Sequence, residues 1–207
     1  MGATVYLVRH GETHWNRERR YQGWTDIGLN ERGWLQAAAL ARRLRPLRLA
    51  AVYASGLRRA VETARAIAEP RRLQVQTMAC FREMRFGDWE GLTAEEIQER
   101  FGAATYALWL QDPSRVTIPG GETLGELQQR TARGLEALLA AHRQQEILVV
   151  THGGNIMALG CYLDGRPLAD FWRYYLDNGQ VAVVREQGGQ RRLQVVSADQ
   201  LAGPGGP

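Results

Sequence analysis

Two histidines, two arginines and one glutamate stand where they could handle a phosphate group. Arg9 and His10 follow the run TVYLV at 4–8, Arg59 comes shortly after AAVYA at 50–54, Glu83 after LQVQTM at 73–78, and His152 after ILVV at 147–150. Each run reads as a short β-strand, apolar or β-branched in character and bounded by polar residues. In an open α/β sheet, ligands bind outside the carboxyl ends of the strands. Two arginines and two histidines at one sheet edge make a pocket for a doubly charged anion. Arginine suits that task because its planar fork offers two parallel hydrogen bonds to phosphate oxygens.

The elements that must position these residues alternate along the chain. Helical periodicity marks 31–44, 57–68, most of 93–111, and 122–142 after Pro119-Gly120-Gly121, and a further helix begins near Gly154. Residues 180–185 and 192–197 are expected to pair as a closing hairpin around Gln187-Gly188-Gly189-Gln190. Strands alternating with helices predict a three-layer α/β/α sandwich with a mainly parallel central sheet. The segment 84–121 contains no strand pattern and is expected to be a cap inserted over one end of that sheet. Residues 1–200 read as a single domain, and the tail 201–207, LAGPGGP, as disordered.

Composition excludes several chemistries. All 26 basic residues are arginine, so a Schiff base or a phosphate-binding P-loop lysine is ruled out. The net charge is +4, but the arginines are dispersed among acids, as in RRAVETAR, which argues against a nucleic-acid partner. No apolar run approaches the roughly 18 residues of a membrane span. No basic-then-apolar leader is visible, and Tyr6 stands where a myristoylation motif needs Ser or Thr. A cytoplasmic protein is the expectation. Cys80 and Cys161 read as small hydrophobes. No motif suggests a metal site or a cofactor.

The motifs carry a resemblance. The runs LVRHGETHWN at 7–16 and QGWTDIGLNERG at 22–33 look like the opening signature of the histidine phosphatase superfamily. SGLRRAVETA at 55–64, REMRFGDWEG at 82–91 and VTHGGN at 150–155 are similar to its second, third and fourth motifs. The resemblance implies His10 as the nucleophile that becomes a phosphohistidine, with Arg9, Arg59 and His152 holding the phosphoryl oxygens. It implies Glu83 as general acid and then base, and Asn16, the backbone near Gly23, and Gly153 as further substrate contacts. Arg58 is expected to be solvated, His14 and His142 to lie on the surface, and Trp89 and Trp109 to belong to the core.

Three functions stay open under this resemblance: a phosphatase of small phosphomonoesters, a phosphoglycerate mutase, and a non-catalytic binder of phosphorylated ligands. The segment 84–121 lacks the basic insertion of the mutases, and FGDWEGLT followed by PGGET looks like the phosphatase branch. That branch includes broad-specificity and α-ribazole-5'-phosphate phosphatases. The partner implied is a small phosphorylated substrate, and a homodimer is left open.

Overall fold

A computed structural model describes residues 2–187 and 190–196. Six strands form one sheet in the order β3-β2-β4-β1-β5-β6. They are β1 (Thr4–Arg9), β2 (Leu49–Ala54), β3 (Val75–Thr77), β4 (Glu146–Thr151), β5 (Val181–Gln187) and β6 (Gln190–Val196). The first four run parallel, while β5 and β6 add an antiparallel edge. The helices are α1 (His14–Arg17), α2 (Glu31–Arg43), α3 (Arg58–Ala68), α4 (Ala94–Phe101), α5 (Ala103–Gln111), α6 (Leu124–Ala141) and α7 (Gly153–Leu163).

Strand side chains alternate between the two faces of a sheet, and the core divides accordingly. Tyr6, Val8, Leu148 and Val150 face α2 and α3 through Leu40, Leu44, Ala64 and Ile67. Val5, Leu7, Ile147 and Val149 face the opposite layer, with Leu127, Leu135, Ile156 and Leu159 of α6 and α7. This is the expected three-layer sandwich.

Several boundaries differ from the sequence reading for local reasons. The helical stretch expected over 93–111 breaks at Gly102, whose φ of 93° no helical residue adopts. The helix expected to begin at 122 starts at Leu124, because Thr123 and Glu126 form a capping box. The same device, Thr13 with Asn16, builds the four-residue α1, which apolar periodicity could not reveal. The hairpin forms, with Val184 opposite Leu193. Its turn at 188–189, its end at 197 and the tail at 201–207 lie outside the described residues.

The segment 84–121 contains no strand among its described elements, as expected, but its body is more than a lid. Trp89 and Trp109 are buried, with ring centroids 5.7 Å apart and perpendicular. Tyr21, Phe86 and Trp172 stack edge-on around them, and Phe171 packs at a tilt. Trp109 also donates its indole N–H to the Tyr21 hydroxyl at 2.9 Å. Both tryptophans are core residues.

Candidate active site

Strand register brings the two histidines together. Parallel pairing sets Arg9 opposite Thr151, and the His10 N–H continues the ladder to the Thr151 carbonyl at 3.1 Å. The residues just past the two strand ends, His10 and His152, therefore lie side by side, their ring centroids 5.0 Å apart. On the other flank of β4, the Ser55 N–H donates to the Val150 carbonyl at 3.2 Å. That contact carries the chain from β2 into α3, whose second residue is Arg59.

Two partners fix the tautomer of His10. A carbonyl only accepts, so the Gly11 carbonyl, 2.7 Å away, requires the proton on Nδ1. A guanidinium only donates, so Arg59 Nε, at 3.2 Å, requires a lone pair on Nε2. Burial, followed by the charges of Arg59 and Arg9, holds the pKa well below the usual histidine value. His10 is a neutral imidazole with its basic nitrogen turned toward Arg59.

Arg59 is wholly buried. It donates to His10, to the Thr25 carbonyl at 3.0 Å and to the Gly23 carbonyl at 2.8 Å. Burial lowers its pKa to about 10, which still leaves it cationic at neutral pH. Thr63, one turn on in α3, donates to the Arg59 carbonyl and accepts the Gly11 N–H at 3.0 Å. One hydroxyl thus ties the histidine loop to the arginine helix.

Arg9 donates to the Leu176 carbonyl and lies 5.6 Å from the centre of the Tyr175 ring. Its Nε is buried with no partner among the described residues, and the same is true of His152 Nδ1. Buried polar atoms are nearly always satisfied, so Arg9 Nε and His152 Nδ1 are open to a ligand in this site. Gly153 lies against the Arg9 guanidinium, where a Cβ would stand 3.6 Å from it.

Glu83 reaches the same place from the loop after β3. Its carboxylate accepts the Met84 N–H at 2.8 Å and the Gly154 N–H at 3.4 Å. A Cβ at Gly154 would collide with Glu83 Oε1, so any larger residue there would push the carboxylate out of this position. Burial raises the pKa of Glu83, while the Met84 N–H and the charges of Arg59 and Arg9 partly oppose it. A carboxyl whose proton is held to higher pH than usual suits a general acid.

The remaining acids are committed elsewhere. Glu90 accepts from the N–H groups of Trp24 (2.9 Å), Phe86 (3.2 Å) and Thr25 (2.9 Å), and from the Thr25 hydroxyl (2.6 Å). Glu12 accepts from Asn30 at 2.8 Å. Asp88 is exposed.

The structure brings Arg9, His10, Arg59, Glu83, His152 and Gly153 to one site, with Asn16 and Gly23 on the loop beside it. The Gly23 carbonyl is occupied by Arg59. With φ at 53° and the Glu90 carboxylate where a Cβ would sit, Gly23 shapes the loop. Asn16 spends its Oδ1 on the Thr13 N–H and hydroxyl, which leaves its amide nitrogen as the group available to a ligand. His142 is not a free surface residue: it is half-buried against the Tyr53 hydroxyl at 2.8 Å. His14 is exposed, and Arg58, also exposed, pairs with Glu62 at 2.7 Å.

Sequence reasoning assigned no role to Ser55, Thr63, Glu90 or Arg130. The first three sit inside the quoted motifs, which was the available signal. Asn178 donates to the His10 carbonyl at 3.0 Å. Arg130, midway along α6, donates to the carbonyls of Cys80, Arg82 and Glu83 at 2.7 to 2.9 Å. Nothing in the pattern of α6 announces that bracing.

Among the described residues, no cluster of three or more His, Cys, Asp or Glu side chains is placed to hold a metal ion. No described helix is long and apolar enough to cross a membrane.

Fold and pocket together define an α/β phosphoric monoester hydrolase. The family model of the histidine phosphatase superfamily (branch 1) matches residues 5–199, and the chain belongs to that superfamily. It is 36% identical over 180 residues to phosphoserine phosphatase 1 of Hydrogenobacter thermophilus, covering 87% of this chain and 85% of that one. It is 34% identical over 175 residues to the adenosylcobalamin/alpha-ribazole phosphatase of Escherichia coli, covering 84% and 86%. The solved structure of Bacillus stearothermophilus YhfR superposes with a TM-score of 0.88 at 34% identity, covering 95% and 98%.

Proposed function

We propose that this phosphatase hydrolyses small phosphomonoesters without a metal, through a phosphohistidine on His10. The observation that carries the reading is the set of donors around a fixed nucleophile. Arg59, Arg9 Nε and His152 Nδ1 surround a His10 whose Nε2 is held as a lone pair. Phosphoryl transfer is catalysed mainly by positioning and by stabilising charge on the equatorial oxygens, and arginines can supply that charge. The phosphoryl oxygens take over the Arg59 donor that the resting site spends on His10. Glu83 then protonates the departing alkoxide and later takes the proton of the attacking water.

Relatives named phosphoserine phosphatase and alpha-ribazole phosphatase make phosphoserine and α-ribazole 5'-phosphate the first esters to test. A panel with sugar phosphates, nucleotides and phosphoglycerates, ranked by kcat/KM after exhaustive EDTA dialysis, tests the proposal. Phosphate release from several esters, unaffected by the chelator, is expected. Loss of activity restored by added magnesium or zinc would remove the metal-free mechanism. Conversion of 3-phosphoglycerate to 2-phosphoglycerate outrunning phosphate release by orders of magnitude would make the protein a mutase.

A further inference from the structure

Ser55 sits outside the set of groups that would touch phosphate, yet its hydroxyl is in contact with His152. The side chain is 1% exposed, and its Oγ lies 2.7 Å from His152 Nε2. The same oxygen accepts the Leu57 N–H at 3.3 Å, and Leu57 caps the helix that carries Arg59.

Two proton arrangements are conceivable. If His152 carried its proton on Nε2, it would donate to Ser55, and the serine hydroxyl proton would have no acceptor among the described residues. The Nδ1 lone pair would be buried without a partner as well, and it would repel an anion. If Ser55 donates to Nε2 instead, the hydroxyl proton is placed and one buried group is left without a partner, the Nδ1–H. An unsatisfied buried polar group costs about 1–3 kcal/mol, so the arrangement with fewer of them dominates.

We propose that Ser55 is a positioning residue that donates to His152 Nε2 and thereby fixes the Nδ1–H tautomer, presenting that proton to the phosphoryl group. This rests on reading the pocket as the phosphoryl site, and it deepens that reading by assigning the proton. Burial and the charge of Arg59 also hold the pKa of His152 well below the usual value. A neutral ring has a single proton to place, so the choice of nitrogen matters. A ring orientation set by one hydrogen bond to its second nitrogen is a general way of directing histidine.

The test begins with 15N–1H correlation spectra of the histidine rings in the wild-type protein. The chain has four histidines, so single substitutions assign them. A protonated Nδ1 and a bare Nε2 on His152 are expected. Wild-type protein with the proton on Nε2 would overturn the proposal, whatever the enzyme's activity proves to be. The Ser55→Ala variant should shift His152 toward the Nε2–H tautomer. It should also lose about 10- to 100-fold in kcat, the worth of one hydrogen bond to a charged group. The loss should be the same for an alkyl phosphate and for p-nitrophenyl phosphate, and affinity for vanadate should weaken in parallel. Ser55→Thr, which keeps the hydroxyl, should restore both the tautomer and the rate. An unchanged tautomer in Ser55→Ala, or a changed tautomer with wild-type kcat, would overturn the proposal. Should Ser55→Ala fail to fold, the wild-type and Ser55→Thr spectra decide it.

Discussion

At the floor of the pocket, Arg59 and His152 have no exposed surface and His10 is 3% exposed. At its rim, Trp24 is 38% exposed and Tyr175 55%. Floor residues are held by strand register, by backbone carbonyls and by the hydroxyls of Ser55 and Thr63. Rim residues are held more lightly. The Trp24 indole N–H donates to the Glu83 carbonyl at 2.8 Å, and the Arg82 guanidinium lies 5.2 Å from its ring centre. The Tyr175 ring lies 5.6 Å from the Arg9 guanidinium. Groups fixed this deeply serve the step common to every ester, whereas exposed rings can discriminate only between leaving groups. Substitutions at the floor should therefore lower kcat for all substrates alike, and substitutions at the rim should reorder them.

The largest effect should come from His10→Ala, which removes the nucleophile: kcat should fall by more than about 10⁴-fold on every ester. A residual rate within about tenfold of wild type, measured by phosphate release, would break the floor account at its centre.

Glu83→Gln should lower kcat on alkyl phosphates by roughly 10²- to 10⁴-fold, the usual worth of a general acid. The loss should be smaller for p-nitrophenyl phosphate, whose leaving group needs less protonation. The pH profile gives a second check. Burial raises the pKa of Glu83, so its proton is retained to higher pH than an ordinary carboxyl would allow. The wild-type rate on an alkyl phosphate should fall as pH rises through that raised pKa, and the same limb should be missing in Glu83→Gln. The pKa of His10 is depressed, so the nucleophile stays unprotonated to lower pH than an ordinary histidine would. An alkaline limb persisting in Glu83→Gln would assign it to another group.

Glu90 joins the two regions, because its carboxylate holds the backbone of Trp24 and Thr25 at the rim while the Thr25 carbonyl receives Arg59 at the floor. Glu90→Ala strands several partly buried N–H groups, so stability should fall by about 2–3 kcal/mol. Urea denaturation measures this, and kcat/KM should fall with it. A stable Glu90→Ala protein with wild-type kinetics would show that the loop needs no such anchor.

How much of this the sequence disclosed depends on whether a feature is local. The strands ending at Arg9, Thr151 and Ala54 were legible because short apolar runs bounded by polar residues are local signals, and strand ends are where α/β sheets bind ligands. Their register, which places His10 beside His152, follows from the sheet and was not written in any one run. Glu83 could be chosen over Glu12 and Glu90 only through resemblance. The structure gives the physical reason, since the other two carboxylates are spent on Asn30 and on the 24–25 backbone. Asn16 and Gly23 were legible as neighbours of the site but not as supports of it. Arg130 gave no signal, because a helix face is read for its apolar stripe and a single arginine bracing the 80–83 backbone leaves no period. The break at Gly102 passed unseen inside a continuous helical pattern.

The smallest effect should come from the rim. Trp24→Ala should change kcat/KM by less than about tenfold on p-nitrophenyl phosphate, since a cation–π contact at an exposed site is worth about 0.5–1 kcal/mol. It should nonetheless alter the rank order of larger esters. A uniform loss across the panel, with kcat rather than KM affected, would move Trp24 from the rim to the floor.

The central claim is that phosphate passes through His10, and trapping the intermediate tests it most directly. Enzyme turning over a good ester should be quenched in milliseconds into alkaline denaturant, which spares the acid-labile phosphorus–nitrogen bond, then digested and sequenced by mass spectrometry. Phosphate on the peptide containing Arg9-His10-Gly11, localised to His10 and absent from His10→Ala, is the predicted result. Full turnover with no phosphorylated histidine, or with the label on His152, would contradict the account.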